Sequence, residues 1–381
     1  MLRLPPLYPI TDATRPEPLS EQIRRLGEAG FPLVQFRGKP LDPQAQWTEL
    51  RRALAEAAAN GGWPLICVND RADLAILAAR EDLAPWGLHL GQEDLPAHEA
   101  RLLPGLAGLH LGASTHEPGE WAAVDRACDH AGVGPFRGTP SKADHAQPIG
   151  LEGLRAGCAA LRAQYLAPIA IGGLTLADAR PCFEAGAESL AMVGEVHRAA
   201  DAAALGWAVQ RERWRIRPPF RPGQGLVLLG GSGAGKTSLG RQLAGRLALP
   251  FHDLDTVLEA HTGCTVAQLF AGRGEGAFRA LESELLPGLL TEPAVVALGG
   301  GAWEAEPNRQ AVRASGFAAL WLAENPARAW ERAGLDPSRP LAQDRAAFMA
   351  RWRRRMPAWT QADMALAFGH SSRELASALL D

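Results

Sequence analysis

Leu226-Val227-Leu228-Leu229-Gly230-Gly231-Ser232-Gly233-Ala234-Gly235-Lys236-Thr237-Ser238 decides how the second half of this 381-residue chain folds. Four apolar residues in a row read as a buried strand, and the run behind them fits G-x-x-x-x-G-K-[ST]. Leu239, Leu243 and Leu247 then recur on one face of a helix. Strand, glycine-rich loop and helix in that order make a phosphate cradle: the glycines let backbone N–H groups wrap the anion, and the helix N-terminus adds its positive end. Lys236 is expected to reach the phosphate that moves, and Thr237 to hold Mg²⁺. Gly230, Gly231, Ser232, Gly233, Ala234, Gly235, Lys236, Thr237 and Ser238 are therefore candidate ligands of a nucleoside triphosphate. The expected fold class here is a P-loop, three-layer α/β domain with a parallel sheet.

Upstream, short apolar runs recur at Leu7–Ile10, Leu33–Phe36, Leu65–Val68, Gly87–Leu90, Leu109–Gly112, Ala131–Gly134, Ile169–Ile171 and Ser189–Val193. Stretches rich in Ala, Leu and Arg with helical spacing separate them. Eight strands alternating with helices over about 200 residues is the arithmetic of a (β/α)8 TIM barrel, whose chemistry sits at the strands' C-terminal ends. Periodicity then stops where arginine and proline crowd together, from Arg211 to Pro222. The expected organisation is a barrel over 1–210, a linker over 211–222 and the nucleotide-binding domain over 223–381.

A net charge of -3 gives no polybasic footprint for nucleic acid or an anionic membrane, so the expected partners are small molecules. Five scattered cysteines without Cys-x-x-Cys spacing argue against both a disulfide framework and a zinc cluster, and fit a reducing cytoplasm. No apolar run approaches the roughly 18 residues of a membrane span. The composition leaves a homo-oligomer through either domain open. Of 39 lysines and arginines only Lys39, Lys142 and Lys236 are lysine. In a chain that otherwise uses arginine, a retained lysine marks a site that needs a compact, mobile charge.

Behind the phosphate loop, His252-Asp253-Leu254-Asp255 sets two carboxylates two residues apart at an expected strand end, hence on one face. Arg279 and Glu282 lie three apart on an expected helix, where the acid can orient the base. Val295-Val296-Ala297-Leu298 ends in Gly299-Gly300-Gly301, a stretch that exposes bare backbone to a ligand. Together and in this order, these residues resemble the shikimate kinase family from Gly225 to Asp381. The resemblance implies that ATP is the co-substrate, that Lys236 and Thr237 serve ATP and Mg²⁺, and that Asp253 supports the metal. It makes Asp255 the binder of the acceptor's hydroxyls and the candidate base. Arg279 and Arg355 would clamp the shikimate carboxylate, with Gly299, Gly300 and Gly301 lining the ring. Arg339 would stabilise charge on the migrating phosphate from a mobile lid, and Arg332 would lie near the adenine.

In the first half Gln35, Arg37 and Lys39 alternate and are expected on one face, where they would meet an anion. Asn69-Asp70 and Asp94 follow neighbouring strands, and the two carboxylates suit one hard cation, Mg²⁺ held by a diphosphate. Ser114, Thr139, Ser141 and Lys142 follow later strands, and Gly173 lies where barrels often bind phosphate on backbone N–H groups. Leu7-Tyr8-Pro9-Ile10-Thr11-Asp12, Val34-Gln35-Phe36-Arg37, Val68-Asn69-Asp70-Arg71, His89-Leu90-Gly91-Gln92-Glu93-Asp94 and Gly132-Val133-Gly134-Pro135 resemble the thiamine-phosphate synthase family over about Leu4 to His197. That family joins a pyrimidine diphosphate to a thiazole phosphate and releases pyrophosphate. The resemblance implies that Gln35, Arg37, Lys39 and Asn69 grip the diphosphate and that Asp70 and Asp94 hold Mg²⁺. Ser114 would assist pyrophosphate departure, while Thr139, Ser141, Lys142 and Gly173 handle the two phosphates. Glu195 departs from the small neutral residues expected beside the thiazole phosphate. Two further readings of the barrel stay open: a thiazole tautomerase with His116 moving the proton, and a catalytically silent ligand-binding module that regulates the kinase.

Overall fold

A computed structural model describes residues 4–138, 147–334, 343–367 and 372–380. Contacts divide the chain into two units, with the break between Arg217 and Pro218.

The first unit carries β1 (Leu7–Pro9), β2 (Leu33–Phe36), β3 (Leu65–Asn69), β4 (Gly87–Leu90), β5 (His110–Thr115), β6 (His130–Val133), β7 (Ala167–Ile171) and β8 (Ser189–Met192). All are parallel, and neighbours run β1-β8-β7-β6-β5-β4-β3-β2. The ring closes between β1 and β2: Ile10 bridges Gln35, and the Thr11 N–H donates to the Gln35 carbonyl at 3.0 Å. Tyr8, Ile10, Leu33, Cys67, Ile169 and Ala191 pack in one buried cluster, so the barrel is filled with side chains rather than open. Strands buried on both faces read as continuous apolar runs, which is why each of the eight is visible in the sequence.

The expected linker needs correcting at its start. Helix Ala202–Ile216 runs through 211–216, because buried Arg213, with Arg162 and Arg217, pairs with Glu188 of the barrel wall. Arg213, which looks like a linker charge in the sequence, is thus a packing residue of the last barrel helix, while Arg211 and Arg215 stay exposed.

The second unit is a five-stranded parallel sheet: β9 (Leu226–Leu229), β10 (Phe251–Asp253), β11 (Val295–Ala297), β12 (Ala318–Leu322) and β13 (Met364–Leu366), ordered β10-β11-β9-β12-β13. Leu226, Val227, Leu228 and Leu229 are at most 1% exposed, so both faces of the central strand are covered. Strand order reverses at β9, and such a switch point opens a crevice at the strands' C-terminal ends. Among the described residues no helix is long and apolar enough to cross a membrane.

Candidate active sites

In the barrel, a cavity of ≈ 740 Å³ is lined by Gln35, Asn69, Ser114 and Gly173, by the cations Arg37 and Lys39, and by the carboxylates Asp70 and Asp94. The expected alternation holds only for Gln35, since β2 ends at Phe36. Arg37 and Lys39 reach the cavity from the following loop, which buried Thr11 fastens: its hydroxyl accepts from the Arg37 N–H at 2.8 Å and donates to the Arg37 carbonyl at 3.2 Å. Gln35 is buried and donates to Tyr8 Oη at 3.4 Å.

Lys39 Nζ pairs with Asp70, whose backbone is left-handed with φ 63. A non-glycine residue in that region is held by its surroundings, here by an Asp70 N–H to His89 carbonyl bond of 2.7 Å. Asp94 Oδ2 accepts from the Gly91 N–H at 2.6 Å. A methyl group built on Gly91 would lie 3.0 Å from Asp94 Oδ2 and 3.9 Å from Asp70 Oδ1, so the two carboxylates converge there. Burial raises the Asp94 carboxyl, the Gly91 N–H pulls it back, and the Asp70 carboxylate raises it again, with a net displacement upward. Like charges held this close fit a hard divalent cation, with remaining ligands from phosphate and water. Among the described residues no cluster of three or more His, Cys, Asp or Glu could hold a metal by itself.

Gly172 and Gly173 have φ 101 and 62, a turn that presents N–H groups and disfavours side chains. The same cavity holds features that sequence reasoning did not assign together. His116 Nδ1 lies 3.0 Å from Glu120 Oε2, and Glu195 pairs with Arg198 at 3.6 Å. Thr139, Ser141 and Lys142 lie outside the described residues.

In the second unit the loop after β9 wraps as its glycines predict. Gly233 has φ 82, and a side chain there would meet the Ala329 carbonyl at 2.0 Å. Lys236 opens helix Lys236–Leu247, and its Nζ donates to the Gly230 and Gly231 carbonyls, both at 2.9 Å, so it lies across the cradle. Ser232, Gly235 and Ala234 complete the loop, while Ser238 is exposed on the helix's first turn. Thr237 Oγ1 donates to Asp253 Oδ2 at 2.7 Å, a hydroxyl and carboxylate pair suited to a hydrated Mg²⁺.

The two aspartates do not share a strand face as expected. Asp253 ends β10 and caps helix Leu254–Thr262, accepting from the Asp255 N–H at 3.2 Å, while Asp255 lies in the first helical turn. They come together through the cap. Asp255 Oδ1 lies 2.9 Å from the point where a Gly299 side chain would begin, Arg355 Nη1 lies 3.1 Å from that of Gly300, and Arg279 Nη2 and Arg355 Nη2 lie 2.4 and 2.8 Å from that of Gly301. Glu282 Oε1 lies nearer still to the Gly299 point, at 2.3 Å, so two guanidiniums and two carboxylates surround a strip of bare backbone, each reaching ground that only glycine leaves open.

Arg279 is oriented by Glu282 within helix Val266–Leu285, and also by Glu275 at 3.1 Å. Glu304, which sequence reasoning missed, accepts from Arg355 Nε at 2.9 Å and from Arg354 Nε at 3.1 Å. Its only signal is its place three residues after Gly301. Burial pulls both guanidiniums down: Glu282 carries Arg279 back above the ordinary value, while Arg355, facing Arg279, stays below it. Such a pair of converging cations favours an anion between them. Arg332 pairs with Glu324. Arg339 lies outside the described residues.

The sequence model described as Thiamine monophosphate synthase matches residues 7–196, and that described as Shikimate kinase matches residues 232–381. A thiamine-phosphate synthase from Moorella thermoacetica is 42% identical over 202 residues, 52% of this chain and 90% of the relative. A shikimate kinase from the same organism is 42% identical over 142 residues, 36% of this chain and 82% of the relative. One from Ruegeria pomeroyi is 37% identical over 143 residues, 36% of this chain and 73% of the relative. The chain therefore belongs to two families, the thiamine-phosphate synthases through its barrel and the shikimate kinases through its P-loop unit.

Proposed function

We propose that the chain is a bifunctional enzyme. The P-loop unit transfers the γ-phosphoryl of ATP to shikimate, giving shikimate 3-phosphate. The barrel joins hydroxymethylpyrimidine diphosphate to thiazole phosphate, giving thiamine phosphate and pyrophosphate. For the kinase the carrying observation is the convergence of Arg279, Arg355 and Asp255 on Gly299–Gly301. An acceptor with one carboxylate and several hydroxyls satisfies that set, whereas a neutral alcohol places no anion between the two converging guanidiniums. Asp255 accepts the hydroxyl proton, Lys236 follows the migrating phosphoryl, and Arg339 from the lid balances its charge. Thr237 and Asp253 would hold Mg²⁺, which screens the phosphate oxygens. Arg332 and the loop residues through Ser238 seat the nucleotide.

For the barrel the carrying observation is the Lys39, Asp70 and Asp94 cluster at one end of a single cavity. Asp70 and Asp94 would hold Mg²⁺, which supplies charge neutralisation to the departing diphosphate. Gln35, Arg37, Lys39 and Asn69 orient that diphosphate. Its carbon–oxygen bond breaks with the electron pair leaving on pyrophosphate, and the thiazole nitrogen closes on the resulting pyrimidine cation. Ser114 offers its hydroxyl to the leaving oxygens, and Thr139, Ser141, Lys142 and Gly173 hold the phosphates. Operation in a reducing cytoplasm belongs to the same reading, with five free cysteines, four of them buried.

The test supplies purified protein with both barrel substrates and Mg²⁺ and follows pyrophosphate. Wild type is expected to release it and Asp94→Ala to lose at least about 100-fold in kcat. Wild-type protein that releases none, and instead isomerises the thiazole, would establish the tautomerase reading that the His116 and Glu120 pair favours. In parallel, shikimate-dependent ADP formation tests the kinase; no dependence on shikimate overturns it.

A further inference from the structure

Three residues stand side by side across the barrel wall: His89 of β4 is in register with Gly112 of β5, and Gly112 with His130 of β6. The two imidazoles meet over the glycine, His89 Nδ1 lying 3.3 Å from His130 Nε2 with the rings stacked at 5.5 Å. A side chain on Gly112 would start 2.1 Å from His130 Nε2 and 2.6 Å from His89 Nδ1, so only glycine leaves the space. On its other side His89 Nε2 lies 3.0 Å from Ser114 Oγ, at the cavity. The result is one continuous chain, from the enclosed His130 through His89 to the Ser114 hydroxyl.

The direction of that chain follows from one atom. His130 is 0% exposed, and its Nδ1 has no hydrogen-bond partner among the described residues. Both rings are buried with their facing nitrogens 3.3 Å apart, where a second proton would put an imidazolium charge in the barrel wall, so each carries a single proton. If His130 carried its proton on Nδ1, a buried N–H donor would be orphaned, and such donors are rarer in folded proteins than unfilled acceptors. The proton therefore sits on His130 Nε2 and is donated to His89 Nδ1. That bond puts the His89 proton on Nε2, since the hydrogen bond at one ring nitrogen sets the state of the other. His89 then donates to Ser114 Oγ. A hydroxyl that accepts from the wall has its own proton free for the cavity.

We propose that His130 is a positioning residue of the barrel reaction: acting through His89, it fixes the Ser114 hydroxyl as a hydrogen-bond donor to the departing diphosphate. In the opposite arrangement Ser114 would donate to His89 and show only lone pairs to an anion, which they would repel. The inference rests on the synthase reading for its kinetic consequence, but the proton positions can be read without turnover.

The experiment records long-range ¹H–¹⁵N spectra of the full chain labelled at histidine, with the two signals identified by their loss in His89→Gln and His130→Phe. Protons on Nε2 of both rings are expected in wild type. A proton on His89 Nδ1 overturns the proposal, whatever the variants do. In His130→Phe, kcat for pyrophosphate release is expected to fall about tenfold with KM values within about twofold. His130→Gln, whose amide can donate to His89 Nδ1, is expected to restore most of that loss. Unchanged kcat in His130→Phe, or no rescue by the amide, refutes the positioning role. Wild type that releases no pyrophosphate refutes the synthase reading instead, and the wild-type spectrum still decides the proton positions.

Discussion

Glu282 is fully enclosed, and its Oε1 has no hydrogen-bond partner among the described residues. Burial lifts its carboxyl to about 7, against the pull of Arg279 and with a further push from Asp255. In the unfolded chain this group titrates near 4.5, so between those values the folded unit holds a proton that the unfolded chain has released. Stability from this residue is therefore lost as pH rises through that window, by on the order of 3 kcal/mol at about 1.4 per unit. Glu282→Gln should flatten the fall in stability between about pH 5 and 7 relative to wild type, read on the unfolding transition that ATP raises. An unaltered slope would assign the titration elsewhere. Arg279→Ala is expected to raise KM for shikimate at least about tenfold while leaving KM for ATP within about twofold. Equal effects on both substrates would remove Arg279 from the carboxylate clamp. The sequence shows Arg279 and Glu282 as a pair because they sit three apart on one helix. It is silent on Glu304 with Arg355 and on His89 with His130, since those partners are brought together only by the fold.

At the scale of elements, fully buried parallel strands are legible because neither face needs polar residues, and all eight barrel strands fall where apolar runs predict them. The phosphate loop is legible because its glycines answer to backbone geometry rather than to distant partners. Helix Ala202–Ile216 is not, because in the sequence Arg213 looks solvated, whereas in the fold Glu188 gathers it together with Arg162 of another helix and Arg217 just past the helix end. Those guanidiniums hold the Glu188 carboxyl below its ordinary value although burial raises it. Glu188→Ala removes the carboxylate that gathers three guanidiniums, Arg213 among them only 8% exposed, and should cost the barrel about 3–5 kcal/mol by urea unfolding. A loss below about 1 kcal/mol would show the cluster to be peripheral. Asp253 and Asp255 teach a related lesson: the sequence places them correctly as partners, but a helix cap joins them rather than a shared strand face.

At the scale of the molecule, each unit closes its own sheet and carries its own site at the C-terminal ends of its own strands. The two reactions share no intermediate, so each ligand should stabilise only the unit that binds it. Calorimetry is expected to show ATP raising one unfolding transition and pyrophosphate with Mg²⁺ the other; a ligand that raises both would reveal coupling. The placement of ammonium groups has a practical corollary. Lys39 stands against Asp70 at one pocket, and Lys236 lies across the Gly230 and Gly231 carbonyls at the other. A reagent selective for amines has only Lys39, Lys142 and Lys236 among the side chains to acylate. Peptide mass spectrometry of the acylated chain would then report, lysine by lysine, which pocket a given compound shields.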